Sequence, residues 1–142
     1  MEGVINFYSE NNFQVGEEDR FIDWIKRIVL SENRSLGEVS YIFCNDDYLL
    51  DLNQKFLNHD TLTDILSFDD SVGRVLSGDI FISTERVREN ADLFSVPFEL
   101  ELKRVMAHGL LHFCGYKDGT EDEVRVMRNK EEEKMKMFHV EQ

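Results

Sequence analysis

The sequence predicts an α+β domain with a single small mixed β-sheet of about four strands, covered by about five helices. Short runs of β-branched and aromatic residues, such as residues 39–44, are typical of strands. Longer segments repeat apolar residues every three or four positions, which indicates helices packed by one face. These segments follow in the order β-α-β-α-β-β-α-α-α, and 142 residues suffice for one hydrophobic core. We therefore expect one domain over residues 1–142.

The first half of the chain alternates predicted strands and helices. Residues 17–30 place their apolar side chains on one stripe, which makes this segment the clearest helix. Residues 31–37 are polar and are predicted to form a turn, and Asn45 or Asp46 can cap the helix that follows. The predicted elements are a strand at 3–8, a helix at 17–30, a strand at 39–44 and a helix ending at Phe56, with Leu49, Leu52 and Phe56 facing inward.

The second half is predicted to begin with two strands and to end with three helices. Strands at 65–68 and 76–83 are joined by a short segment of turn-forming residues, which favours antiparallel pairing. Helices are predicted at 84–93 and 98–114. A last helix follows the capping box formed by Thr120 and Glu123. Its inward residues are predicted to be Val124, Met127 and Met135, and its charged stretch 131–136 is predicted to be a solvated face.

Two histidines lie one helical turn apart near the end of segment 98–114. His108 and His112 project from the same helix face, with Cβ atoms about 5–6 Å apart. Gly115 is expected to end the helix, because glycine readily takes the left-handed conformation. Asp118 then brings a carboxylate towards the two imidazoles. Together these side chains would hold one divalent metal ion and leave a fourth position open to water.

Zinc is the metal first expected, because imidazole and carboxylate are both zinc ligands. The same donors suit Fe²⁺, Mn²⁺ and Ni²⁺, so the identity of the metal stays open. A zinc peptidase is disfavoured. Its His-Glu-x-x-His motif places a glutamate general base after the first histidine, and this chain has Gly109 there.

Composition limits the other classes of function. The net charge of −13 argues against broad nucleic-acid binding, which needs Lys and Arg to neutralise phosphates, and we expect no DNA partner. No apolar run approaches the roughly 20 residues that span a membrane. The N-terminus lacks the features of a signal peptide. Cys44 and Cys114 have no framework spacing, so they are expected to be buried thiols. We therefore expect a cytoplasmic protein with no membrane partner.

The motifs around the histidines resemble the YbeY family of bacterial rRNA-maturation endoribonucleases. That family's signature is His-Gly-x-Leu-His-x-x-Gly-Tyr-Asp-His, and Asp118 stands where the family usually has its third histidine. The positions that match the signature are His108, Gly109, Leu111, His112, Gly115 and Tyr116. Further matches, in the family's order, are Asn53, Asp60 and the segments 63–68, 78–80 and 127–131.

The resemblance implies a metal-dependent, single-strand endoribonuclease in 16S rRNA 3′-end maturation and ribosome quality control. Its partners would be ribosomal RNA and the small ribosomal subunit, and its cofactor one divalent ion, zinc first. The implied metal ligands are His108, His112 and Asp118. Two further residues are candidate catalytic groups. His59 could supply a cation or a general acid, and Asp64 could orient a metal-bound histidine or cap its strand.

One departure from the family pattern bears on activity. Leu57 occupies the position of an arginine that the family carries after an aromatic residue, and leucine cannot bind phosphate. Together with the acidic net charge, this keeps two alternatives open. One is a ribosome-assembly or binding factor with a structural metal and little or no cleavage activity. The other is a metallohydrolase that acts on another substrate.

Overall fold

The computed structural model describes residues 3–57 and 63–139. They form one mixed four-stranded sheet with five helices, so the predicted fold class and element order are confirmed. Among the described residues, no helix is both long and apolar enough to cross a membrane. The elements are β1 (Val4–Ser9), α1 (Glu18–Ser31), β2 (Ser35–Cys44), α2 (Asp46–Leu57), β3 (Ile65–Asp69), β4 (Val75–Ser83), α3 (Thr84–Phe94), α4 (Phe98–Phe113), α5 (Glu121–Lys136) and a final 3₁₀ turn, Met137–His139.

The sheet has the strand order β1-β2-β4-β3, which places β3 at an edge. β1 pairs with β2, and β2 with β4, in parallel. The short link between β3 and β4 gives antiparallel pairing, as predicted. The predicted turn at 31–37 is wrong in its second half, because β2 already begins at Ser35. The Ser35 amide donates to the carbonyl of Arg74 at 2.9 Å, and a bulge between Leu36 and Val39 joins this stretch to the rest of the strand.

Helix α4 lies against the sheet through an almost fully buried face. Gly109, between the two histidines, permits this close approach. A Cβ added there would come within 2.9 Å of Ile80 Cδ1 and 3.2 Å of Ile65 Cδ1. Tyr41 in β2 donates its hydroxyl to the Met106 carbonyl at 3.0 Å, which fixes the helix against the middle of the sheet. The helix that carries the histidines therefore packs closely on β3 and β4.

The inward face of α5 differs from the prediction. Met127 and Met135 are buried as expected, whereas Val124 is 43% exposed. The charged stretch 131–136 is not simply a solvated face, since Glu131 is 3% exposed and Lys134 is 0% exposed. Both side chains are tolerated inside because each meets opposite charges. In α2, Phe56 is 64% exposed, so its predicted inward position is also wrong.

Lys134 anchors α5 to the first helix. Its ammonium group lies 2.7 Å from a carboxylate oxygen of Glu32 and donates to Ser31 Oγ at 2.9 Å. Trp24 donates its indole N–H to the Lys134 carbonyl at 2.7 Å. Burial opposes the charge of Lys134, but the contacts with Glu133 and Glu32 outweigh it and raise the pKa of the lysine. The second half of α5 is thus fixed against α1.

Candidate metal centre

Three side chains from α4 and the turn after it converge on one point. The rings of His108 and His112 are 4.5 Å apart at their centroids and nearly perpendicular. Asp118 Oδ2 lies 3.3 Å from His108 Nε2 and 3.5 Å from His112 Nε2. One ligand atom from each residue can be chosen so that all three lie within 4.8 Å of one another. This spacing fits a single small cation between two imidazole nitrogens and a carboxylate oxygen.

The turn that delivers Asp118 is fixed at both ends. Gly115 has φ 103°, and its amide donates to the His112 carbonyl at 2.9 Å. The next amide, that of Tyr116, donates to the Leu111 carbonyl at 3.1 Å, which completes a Schellman motif at the end of α4. The predicted capping box at Thr120 is confirmed and starts α5. Asp118 therefore sits between a defined helix end and a defined helix start.

A buried carboxylate lies behind His108. Glu131 Oε2 is 2.7 Å from His108 Nδ1. A carboxylate only accepts hydrogen bonds, so Nδ1 carries a proton, and in the neutral imidazole Nε2 is the nitrogen left to bind a metal beside Asp118. Burial lowers the pKa of His108, but the hydrogen bond and charge of Glu131 outweigh burial, and the net pKa is raised. Carboxylates in this position commonly orient histidines that bind metals.

Two arginines hold the other oxygen of Glu131. Arg104 Nη1 lies 3.3 Å and Arg128 Nη1 lies 3.6 Å from Glu131 Oε1. Arg104 also contacts Glu132 at 2.9 Å and Glu101 at 3.5 Å. The buried negative charge of Glu131 is thus balanced from the side opposite His108, which keeps its second oxygen available to the imidazole.

Asp64 lies beside this cluster at the start of β3. Its carbonyl accepts from the Ser83 amide at 3.0 Å, and its side chain accepts from Asn90 at 3.5 Å. Burial raises the pKa of Asp64, while the nearby charge of His108 acts in the opposite direction. The carboxylate hydrogen-bonded to His108 is Glu131 rather than Asp64. His59, the other candidate catalytic residue, lies outside the described residues.

Two clefts meet at the three convergent side chains. An open cleft of about 530 Å³ runs along the edge strand β3 and includes Thr63, Ser67 and His112. A smaller cavity of about 210 Å³ lies between α3, α4 and α5. His108 and Asp118 line both spaces. A molecule in either cleft would therefore reach the same pair of side chains.

Comparison with known proteins identifies the family. The family model described as Endoribonuclease YbeY matches residues 5–139. The chain belongs to the Endoribonuclease YbeY family. Curated relatives that bear this name include one from Flavobacterium psychrophilum, 59% identical over 98% of this chain and 99% of its own length. Another, from Christiangramia forsetii, is 55% identical over 99% of each chain.

A solved structure has a similar fold. A solution structure of a Thermotoga maritima protein has a TM-score of 0.67 and 28% sequence identity to this chain, covering 94% of this chain and 88% of that one. The family resemblance predicted from the histidine motif, and the endoribonuclease class that it implied, are thereby confirmed. The fold match agrees with the predicted α+β architecture.

The contact of Glu131 with His108 was not predicted from the sequence. Glu131 lies in the stretch 131–136, which was predicted to be a solvated face, and also in a segment that matches YbeY. The sequence does contain a signal for this position. Met127, Glu131 and Met135 are spaced four residues apart, so Glu131 lies on the same helix face as two apolar residues. A charged residue between two buried positions on the same stripe indicates a buried, paired charge.

Proposed function

We propose that this YbeY-family protein is a metal-dependent, single-strand endoribonuclease that acts in 16S rRNA 3′-end maturation and ribosome quality control. It folds as one domain over residues 1–142 and works in the cytoplasm on ribosomal RNA of the small subunit. Its cofactor is one divalent metal ion, and zinc is the metal proposed. The ligands of that ion are His108, His112 and Asp118.

The convergence of two imidazoles and one carboxylate at the junction of two clefts carries this proposal. These donor types suit a divalent metal, and Glu131 prepares His108 by fixing its tautomer. A bound divalent ion would acidify water and offset the negative charge that builds up on a phosphate. The open cleft along β3 is accessible to a single strand of RNA, whose backbone can reach His112 and Asp118.

Two other residues are proposed for proton transfer and charge. Asp64 lines both clefts beside His108, and burial raises its pKa, so its carboxyl group is proposed to transfer a proton during cleavage. His59 is proposed as a cation or general acid from its place in the sequence, close to the position where the family has an arginine and this chain has Leu57. Roles of this kind fit a chain whose net charge of −13 leaves few cations for RNA.

Cleavage of a single-stranded RNA that spans the 3′ end of precursor 16S rRNA tests this function. Zinc-loaded protein should cut it, a chelator should stop cleavage, and added zinc should restore it. The variant His112→Ala removes one ligand from the half-exposed end of the site and should abolish cleavage. Arg125→Gln, which changes an exposed side chain paired with Asp122, serves as the control. Cleavage that continues undiminished in chelator would contradict the proposal.

A ribosome-assembly factor with a structural metal is the second candidate, favoured by Leu57 and the acidic net charge. It predicts that the zinc-loaded protein binds the small subunit, or its RNA, without cutting either. Loss of metal would then weaken binding or folding rather than a reaction. The same RNA followed by both a binding and a cleavage readout separates the two candidates.

A further inference from the structure

A second space for a ligand is the smaller cavity behind the candidate metal centre. Its volume of about 210 Å³ is bounded by three helices and the start of β3, and it shares the His108 and Asp118 wall with the open cleft. The lining mixes apolar and polar side chains, as ligand pockets do. The lining residues used below are the apolar Val105 and Met127 and the polar Asn90, Glu101 and Arg128.

Glu101 is a buried carboxylate that the metal centre does not use. It is 3% exposed, and its contact with Arg104 Nε is 3.5 Å long, beyond the range of a good N–H···O hydrogen bond. Glu131, by contrast, has a 2.7 Å partner in His108. A buried carboxylate is costly unless it accepts hydrogen bonds. Among the described residues, the Glu101 carboxylate has no shorter ion pair than this one, so its oxygens can accept hydrogen bonds from a ligand in the cavity.

Arg128 is the more available of the two arginines in the lining. Arg104 has a side chain that is 17% exposed and contacts three carboxylates. Arg128 has a side chain that is 53% exposed, and its contact with Glu131 is 3.6 Å long. Its guanidinium group can therefore turn towards a phosphate without breaking a short ion pair, and arginine binds phosphate through two parallel hydrogen bonds.

We propose that this cavity binds the nucleotide next to the scissile phosphate and that its preferred base is guanine. The base lies between Val105 and Met127, the carboxylate of Glu101 accepts from its N1–H and N2–H, and Arg128 binds a phosphate. Guanine is favoured because its Watson–Crick edge presents two adjacent donors, whereas the other bases present one donor group beside acceptors. The Asn90 amide, which also lines the cavity, supplies a donor for the guanine carbonyl. This inference rests on the proposed function, since it assumes an RNA substrate.

Binding of nucleoside monophosphates tests the cavity without requiring cleavage. Met127 lines the cavity, while Met106 and Met135 are buried elsewhere, so ¹³C-labelled methionine methyl groups supply one reporter and two internal references. The zinc-loaded protein is titrated with GMP, AMP, CMP and UMP. GMP should shift the Met127 methyl resonance saturably and bind roughly tenfold more tightly than the other three, as expected for one extra charged hydrogen bond.

Two variants separate the base from the phosphate. Glu101→Gln should remove the preference for GMP, because an amide offers one acceptor and one donor. Arg128→Gln should weaken all four nucleotides by a similar factor, roughly tenfold, and leave their order unchanged. Arg125→Gln, one turn earlier on α5 and paired with Asp122 at 2.7 Å, should change neither. A Met127 resonance that stays unmoved by every nucleotide would overturn the proposal, as would a GMP preference that survives in Glu101→Gln.

Cleavage of a random-sequence RNA supplies the second arm and separates this inference from the proposed function. The parent protein should cut next to guanine, and Glu101→Gln should cut without that preference. If GMP occupies the cavity but no RNA is cut, the proposed function fails and the nucleotide site stands. If RNA is cut without base preference and Met127 does not respond, the nucleotide site fails and the proposed function stands.

Discussion

The carboxylate of Glu131 is expected to control how tightly the metal is held, although it is not itself a predicted ligand. Glu131→Gln keeps the size of the side chain and removes its charge. The glutamine oxygen can still accept from His108 Nδ1. The NH₂ group of the glutamine then faces the Arg104 guanidinium, and no hydrogen bond forms because both groups are donors. If the amide turns over, the NH₂ group faces Nδ1–H instead. Either orientation leaves one buried contact unsatisfied.

The expected magnitude follows from these contacts. The hydrogen bond between Glu131 and His108 is 2.7 Å long and charge-assisted, and a bond of that kind contributes about 1.5–3 kcal/mol. Loss of an outer carboxylate typically lowers metal affinity 10–100-fold, roughly 1.4–2.7 kcal/mol, which agrees with that range. The unfolding free energy of the metal-free protein should also fall, by about 1–3 kcal/mol, because Arg104 loses a buried partner.

Metal titration against a competing chelator, with urea unfolding alongside it, measures both quantities. Glu132→Gln is the matched control, because Glu132 also pairs with Arg104, at 2.9 Å, but its side chain is 56% exposed. The control removes the same charge from the next residue and should leave metal affinity nearly unchanged. Equal metal dissociation constants for Glu131→Gln and Glu132→Gln would refute the assigned role of Glu131.

The pKa of His108 supplies a readout that a loss of packing would not produce. In the metal-free protein, Glu131 raises this pKa against the opposing effect of burial. Glu131→Gln should therefore lower the His108 pKa, because it removes the hydrogen bond to a charged carboxylate that raises this pKa against burial. An NMR titration of the histidine ring follows this directly, and a pKa that stays the same or rises would contradict the hydrogen-bonding account.

Three further predictions concern the turn after α4 and the two thiols. Asp118→Ala should lose most metal affinity and Asp118→His should retain it, because either a carboxylate or an imidazole completes the three-ligand set; equal affinity in all three proteins would exclude Asp118 as a ligand. Gly115→Ala should lower the unfolding free energy by about 1–2 kcal/mol, because φ 103° strains a residue with a Cβ. Gly16→Ala, where an added Cβ meets nothing within 4 Å, should cost less under the same urea titration. Burial raises the pKa of Cys44 to about 12 and that of Cys114 to about 11, so iodoacetamide at pH 8 should modify both far more slowly in folded than in urea-unfolded protein.

Local sequence patterns correctly predicted the elements in which the spacing of apolar residues and the end signals agree. Helix α4 has apolar residues at helical spacing and a glycine at its end, so its bounds came out within one residue. The capping box at Thr120 is also a local signal, and it correctly predicted where α5 begins. The start of β2 could not be predicted locally, because Ser35 is held by pairing with Val75, a residue far away in the chain. Polar residues at the exposed end of a strand have the composition of a turn, so they cannot be assigned to the strand without knowing which strand pairs with them.

The candidate site was predicted only where its residues are close in sequence. His108, His112 and Asp118 lie within eleven residues, so helix geometry alone brings two of them together and the turn adds the third. The contact of Glu131 with His108 crosses 23 residues and depends on how α5 packs against α4. Charge in a sequence normally indicates solvent exposure, and that rule fails where tertiary packing supplies the opposite charges.

Helix α5 links the stability of the fold to the geometry of the site. Its first turn is capped just after Asp118, Glu131 meets His108 from its middle, and Lys134 pairs with Glu32 of the segment after α1. Glu131 and Lys134 are three residues apart, so they project from neighbouring positions of one rigid helix. A shift of α5 that broke the buried pair between Lys134 and Glu32 would also move the Glu131 carboxylate away from His108 Nδ1. The unusual burial of charge in this helix is therefore explained by two separate contacts, one that docks the helix and one that orients a candidate metal ligand.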